Sequence, residues 1–171
     1  IRDSLAENAS FEEVAYLLLL GKLPTSSELA EFEDELMNQR TMPDSLVSVV
    51  ESIPASAHPM EVVRTIISYM GVIEPEKSFD DQLAIAKRLI GVTTTAIVYW
   101  YNFSHNGVKV SQDSGERSLA GHFLKLLRQE DIPDLDKKTL DVSLTLYAEH
   151  EFNASTFTGR VCASTLSDLH S

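Results

Sequence analysis

Apolar positions in this chain recur at intervals of three and four, in runs bounded by residues that start or stop helices. Ser10-Phe11-Glu12-Glu13 has the form of a capping box, in which the serine oxygen accepts a backbone N–H and the glutamate returns to the cap's own N–H. It predicts a short buried helix from Phe11 to Leu20, ended by Gly21. Thr25 and Glu28 repeat the device, and Leu29, Phe32 and Leu36 give the next helix one apolar stripe opposite an acidic, solvated face. Pro43-Asp44 opens a third helix through Val50, since proline is tolerated where the N–H has no helical partner. Ala57-His58-Pro59-Met60 feeds a helix with Val62, Val63, Ile66, Ile67 and Met70 on its inner side and Gly71 as its expected stop. His58 precedes a proline and reads as a loop or capping residue rather than a ligand.

Ser78-Phe79-Asp80-Asp81 starts a long helix that is expected to reach Phe103, and its tail from Tyr99 to His105 is dense in aromatics. Without lysines or arginines around them, these rings read as core or interface packing rather than as a base-stacking platform. Asn106-Gly107 marks a turn, and Val108-Lys109-Val110 is expected to be briefly extended. Ser118 to Leu127 predicts a compact helix with Leu119, Phe123, Leu126 and Leu127 inward and the role of His122 open. After the surface connection Asp131 to Asp134, Lys137 to Ala148 predicts an apolar helix. A last helix, expected from Ser155 to the end, sets Ser155, Gly159, Ala163 and Ser167 at intervals of four, a ridge along which a second helix can approach closely. With about eight helices, short capped connections and no repeat or long linker, the expected class is all-α in one domain.

Composition narrows the function classes. A chain of 171 residues with 43% apolar content can bury one ordinary core. Lys and Arg number 14 against 26 Asp and Glu, and the net charge of -12 disfavours a broad phosphate-binding surface. Neither nucleic acid nor a membrane is therefore an expected partner, although a few local cations suffice for a small anion. The single cysteine, Cys162, excludes an intrachain disulfide framework and fits a reducing compartment. No apolar run reaches the roughly 18 residues of a membrane span and no signal-peptide pattern is visible, so a cytoplasmic location, or an organelle matrix after processing, is expected. The chain starts at Ile1 without a methionine and stops at Ser171 inside a helical pattern, which leads to the expectation of a piece of a longer protein.

Little familiar chemistry survives inspection. The seven glycines are scattered, with no Gly-x-Gly-x-x-Gly or Walker pattern for a nucleotide. His150, between Glu149 and Glu151, lacks a ligand four residues on, so no metal site is expected. No nucleophile elbow is seen. What stands out is Glu149-His150-Glu151 with Asn153, delivered by an apolar helix to a break between two helices where ionisable groups can face a cleft. On physical grounds alone such a polar cluster is more often structural than functional.

A resemblance alters that balance. Ala148-Glu149-His150-Glu151-Phe152-Asn153-Ala154-Ser155-Thr156-Phe157, followed by Arg160-Val161 and Ser164 to Asp168, resembles the substrate-binding segment of the citrate synthase family. Leu5 to Asn8, Phe11 to Leu18, Gly21 to Thr25, and His58-Pro59-Met60 with Arg64-Thr65 keep the order and spacing of its bacterial members. Tyr99-Trp100-Tyr101 with Ser104 to Gly107, Gly121-His122-Phe123, and Tyr147 to Phe152 are most similar to its 2-methylcitrate synthase branch. The resemblance implies that residues 1–171 are the N-terminal portion of a multi-helical large domain, with the small domain and remaining catalytic segments absent. It implies condensation of propionyl-CoA, or acetyl-CoA in an ordinary citrate synthase, with oxaloacetate and no further cofactor. A carboxylate removes the proton beside the thioester, one histidine stabilises the enol and another polarises the ketone. His150 matches the histidine that hydrogen-bonds oxaloacetate, and Asn153, one helical turn onward, is expected to help order that pocket. The His-Gly-Gly-Ala-Asn and Gly-His-Pro motifs, the catalytic Asp and the oxaloacetate-binding arginines of the family are not among these residues. The chain alone is therefore expected to be inactive, and its acidic balance fits the loss of those cations. The family's homodimers give the last helix a second expected role, packing across a two-fold axis. A competing expectation is a non-enzymatic helical interaction module that presents the aromatic patch around Trp100 to a partner.

Overall fold

Helices begin where the sequence carries caps. Ser10 Oγ accepts the Glu13 N–H at 3.2 Å while the Ser10 N–H donates to the Glu13 carboxylate at 2.7 Å. Thr25 and Glu28 form the same pair at 3.3 and 2.8 Å. His58 is a cap, its Nδ1 accepting the Met60 N–H at 3.2 Å. The computed structural model describes residues 4–149 and 153–171. Every regular element among them is helical: α1 (Leu5–Asn8), α2 (Phe11–Leu20), α3 (Ser26–Asn38), α4 (Asp44–Ser52), α5 (Pro59–Ile73), α6 (Gln82–Asn106), α7 (Leu119–Arg128), α8 (Asp134–Ala148) and α9 (Ala154–Ser164), with a 3-10 turn (Phe79–Asp81) leading into α6. The expected all-α architecture is the observed one.

The central helix is α6, which packs against α3, α4, α5 and α7. Leu46 and Val50 of α4, Val62, Ile66 and Met70 of α5, and Val92, Ala96, Tyr99 and Trp100 of α6 form the main core. Each large side chain buried there is worth roughly 1.5–3 kcal/mol relative to exposure. A second cluster joins Ala15 and Tyr16 of α2 to Phe32 and Leu36 of α3, with the Tyr16 and Phe32 rings edge to face at 5.4 Å. By length and apolar content, Phe79–Asn106 would pass for a membrane span, although the sequence offers no uninterrupted apolar run of that length. Val92, Ala96, Tyr99 and Trp100 on it join the core, while Phe79 and Tyr101 are exposed. Where α6 passes the end of α3, a β-carbon on Gly91 would stand 2.9 Å from the Gln39 carbonyl carbon, so only glycine permits the approach.

Several expectations need correction. Helix α5 runs through Gly71 to Ile73, because Gly71 makes room rather than a stop: a β-carbon there would stand 2.8 Å from Cβ of His170. Val108-Lys109-Val110 forms no strand among the described residues, and Val110 tucks into the core instead. The inward face of α8 carries the polar Asp141 and Thr145 rather than an apolar stripe. Helix α9 ends at Ser164 and the chain turns at Leu166, whose φ is 59°. Trp100 is 2% exposed and its Nε1–H donates to the Ile53 carbonyl at 3.3 Å, so it belongs to the core and is not presented to a partner.

Candidate functional site

The segment after α8 is aimed by the way α8 is anchored. Asp141 Oδ1 accepts the Phe11 N–H at 2.9 Å, satisfying an orphan donor at the start of α2. Lys137 reaches the Glu116 carboxylate at 2.9 Å just before α7. With these two ties fixing its direction, α8 ends at Ala148, and Glu149 leaves it in extended geometry (φ −159°, ψ 128°). The chain re-enters helix at Asn153 (φ −70°, ψ 155°), whose Oδ1 accepts the Thr156 N–H at 2.6 Å. Thr156 in turn donates its hydroxyl to Glu149 Oε2 at 3.3 Å. Glu149, Asn153 and Thr156 are half-buried.

Of the two residues expected to bind substrate, Asn153 is thus a helix cap, and His150 lies outside the described residues together with Glu151 and Phe152. Sequence reasoning overlooked Thr156. The signal was present in Asn153-Ala154-Ser155-Thr156, the spacing of a cap to the third helical residue. No residue of the first turn of α9 is itself acidic, and the carboxylate at that helix end is that of Glu149 on the Thr156 hydroxyl.

A second polar cluster lies in the interior. Glu12, 2% exposed, accepts the Leu119 N–H at 2.7 Å at the start of α7, and burial pushes its carboxyl above the usual range. Arg40 donates to the carbonyls of Glu116 and Arg117 at 2.5 and 2.6 Å. His122, left open by the sequence, is fully buried, with Nε2 2.9 Å from Thr95 Oγ1 and Nδ1 2.9 Å from Ser114 Oγ. Burial first, and the Arg40 charge second, push its pKa down to about 4. The neutral imidazole so held is a poor general base and faces Thr95 where a triad would place a carboxylate, so the Ser114–His122–Thr95 chain is a structural tie.

Clefts open on the surface among the described residues include three. One of about 390 Å³ lies between Ser111 and Asp131, one of about 510 Å³ beside Glu74 and Arg88, and an apolar one of about 430 Å³ between Pro59 and Leu127. None of these three is lined by Glu149, Asn153 or Thr156. Among the described residues no three His, Cys, Asp or Glu side chains converge as a metal-binding group.

The family profile described as "Citrate synthase, C-terminal domain" matches residues 2–171. The chain belongs to the citrate synthase family. Among its curated relatives, the 2-methylcitrate synthase of Shewanella oneidensis is 54% identical over 98% of this chain and 44% of its own length. The citrate synthase of Deinococcus radiodurans is 37% identical over 97% of this chain and 45% of its own length. This citrate synthase family chain therefore spans less than half the length of the curated relatives it matches. Among solved structures, the Thermoplasma acidophilum citrate synthase in ternary complex with carboxymethyl coenzyme A and oxaloacetate superposes with a TM-score of 0.86 at 26% identity. That alignment covers 99% of this citrate synthase chain and 45% of the other.

Proposed function

We propose that this chain is the N-terminal portion of the large domain of a 2-methylcitrate synthase, an acyl-CoA:oxaloacetate C-acyltransferase. The reaction joins propionyl-CoA, oxaloacetate and water into 2-methylcitrate and free CoA, with no cofactor beyond the substrates. The observation that carries this reading is the identity of 54% to a 2-methylcitrate synthase, against 37% to a citrate synthase over nearly the same residues. Local geometry supports it: the start of α9 has a cap, no acidic residue in its first turn, and His150 three residues upstream of Asn153. His150 hydrogen-bonds the oxaloacetate, and Asn153 holds the turn that carries it.

Proton abstraction, enol stabilisation and ketone polarisation then fall to the part of the relatives' length that this chain does not span, and the chain alone turns over no thioester. The reading needs neither nucleic acid nor membrane and assigns the enzyme to the cytoplasm. It also includes a homodimer through the C-terminal helix. Phe157 and Val161 of α9 are exposed, and a β-carbon on Gly159 would meet nothing within 4 Å, so the small-residue ridge is open to a second copy. An ordinary citrate synthase using acetyl-CoA is the second reading, favoured by the citrate synthase of known structure. The test is oxaloacetate-dependent release of CoA from propionyl-CoA by the complete polypeptide, with the product identified by mass. Release without oxaloacetate dependence contradicts the proposal.

A further inference from the structure

We infer that residues 165–171 form a strap that sets the position of α9 by docking on the corner between α5 and α6, so that α9 is held or released there without disturbing the bundle. Among the described residues α9 buries no side chain, and none of the extensive helix contacts involves it. A helix with so little packing has its place fixed at its ends. Past the C-terminal end of α9 the chain turns at Leu166, whose φ of 59° lies in the left-handed region that favours glycine. The Leu169 N–H then donates to Glu76 Oε2 at 2.9 Å. His170 seats on Gly71 of α5, where an added β-carbon would stand 2.8 Å from its Cβ and 2.9 Å from its Cγ.

A leucine in left-handed geometry is strained, and such strain persists only where neighbouring contacts hold it. The hold is built from both sides. On the strap, Asp168 Oδ1 accepts the His170 N–H at 3.1 Å and the Ser171 hydroxyl at 2.8 Å, which fixes the turn that presents His170. On the bundle, Glu76 Oε1 accepts from Gln82 Nε2 at 3.0 Å, which ties the acceptor of the Leu169 N–H to the first residue of α6. Among the described residues, the bond from Leu169 to Glu76 is the hydrogen bond that joins residues 157–171 to the chain before Asn153. Gly71 serves the strap and not its own helix, since glycine lowers helix propensity inside α5 and the space it leaves is filled by His170.

G71A places a β-carbon where His170 sits and, by pushing the strap away, also parts the neighbouring bond from Leu169 to Glu76. E76A removes the acceptor of that bond, whereas E76Q keeps a carbonyl oxygen there. The test is hydrogen exchange on the complete polypeptide, read by mass spectrometry. G71A and E76A each speed exchange of the amides of residues 157–164 by roughly threefold to tenfold, the weight of one hydrogen bond. Amides of residues 62–70 in α5 exchange at the parent rate in E76A, and at the parent rate or slower in G71A, because alanine is the better helix former. E76Q exchanges like the parent. Parent rates in α9 for either G71A or E76A overturn the strap. It is overturned equally by a rise in α5 that matches the rise in α9, which marks a defect of the whole bundle, and by an E76Q as labile as E76A. No substrate enters the measurement, so its outcome is independent of the reaction the complete polypeptide catalyses.

Discussion

Nε2 of His122 lies 2.9 Å from Oγ1 of Thr95, and neither side chain reaches solvent. The other ring nitrogen meets Ser114, so a neutral imidazole joins α6, α7 and the loop between them. Its pKa falls from the ordinary 6.5 to about 4 in the fold. Between those values the unfolded chain binds the extra proton, so stability falls as pH drops through that window and the slope vanishes below it. The difference amounts to about 3 kcal/mol. Glu12 acts in the opposite sense, its raised carboxyl favouring the fold as it takes up a proton. Comparing the parent with H122N isolates the histidine: urea unfolding at pH 7 and pH 4.5 should show the smaller acid loss in H122N.

Glu12 offers a cleaner separation of charge from hydrogen bonding. It accepts the Leu119 N–H at the start of α7, and burial disfavours its ionised form. E12A leaves that donor buried and unmet, at an expected cost of about 1–3 kcal/mol. E12Q keeps an acceptor and relieves the buried charge while leaving Arg40 without its anionic neighbour, so its unfolding free energy should stay within about 1 kcal/mol of the parent. Denaturant midpoints of the two variants check this order.

Two helical glycines should respond in opposite directions. G91A drives a methyl group to 2.9 Å from the Gln39 backbone, for an expected net loss of about 1–2 kcal/mol after the gain in helix propensity. G159A meets nothing and should stabilise α9 by about 1 kcal/mol. Thermal unfolding gives the order. In the complete polypeptide the proposed dimer adds a further outcome: G159A weakens self-association, which sedimentation measures.

Local signals were the legible part of this chain. Ser10 with Glu13, Thr25 with Glu28, and His58 ahead of Pro59 announce helix starts because each cap is complete within four residues. Tertiary choices were not legible. Gly71 looks like a stop, and only the arrival of His170, far along the chain, shows it to be a point of close approach. Asp141 sits in an apparently apolar helix, and its inward turn depends on an unpaired N–H of Phe11 at distance in sequence. At the candidate site, the motif located the helix junction and Asn153, but Thr156 acquires meaning only through the fold, by reaching Glu149.

His150 is the residue through which the functional reading predicts substrate contact. H150A in the complete polypeptide should raise KM for oxaloacetate and lower kcat while leaving the acyl-CoA KM in place. Steady-state kinetics with each substrate varied in turn reads this directly, and unchanged constants remove His150 from the site.

The most direct test is the specificity of the complete polypeptide, measured as kcat/KM for CoA release from propionyl-CoA and from acetyl-CoA at saturating oxaloacetate. The account predicts a higher value with propionyl-CoA and a product with the mass of 2-methylcitrate. An equal or higher value with acetyl-CoA, giving citrate, would contradict it.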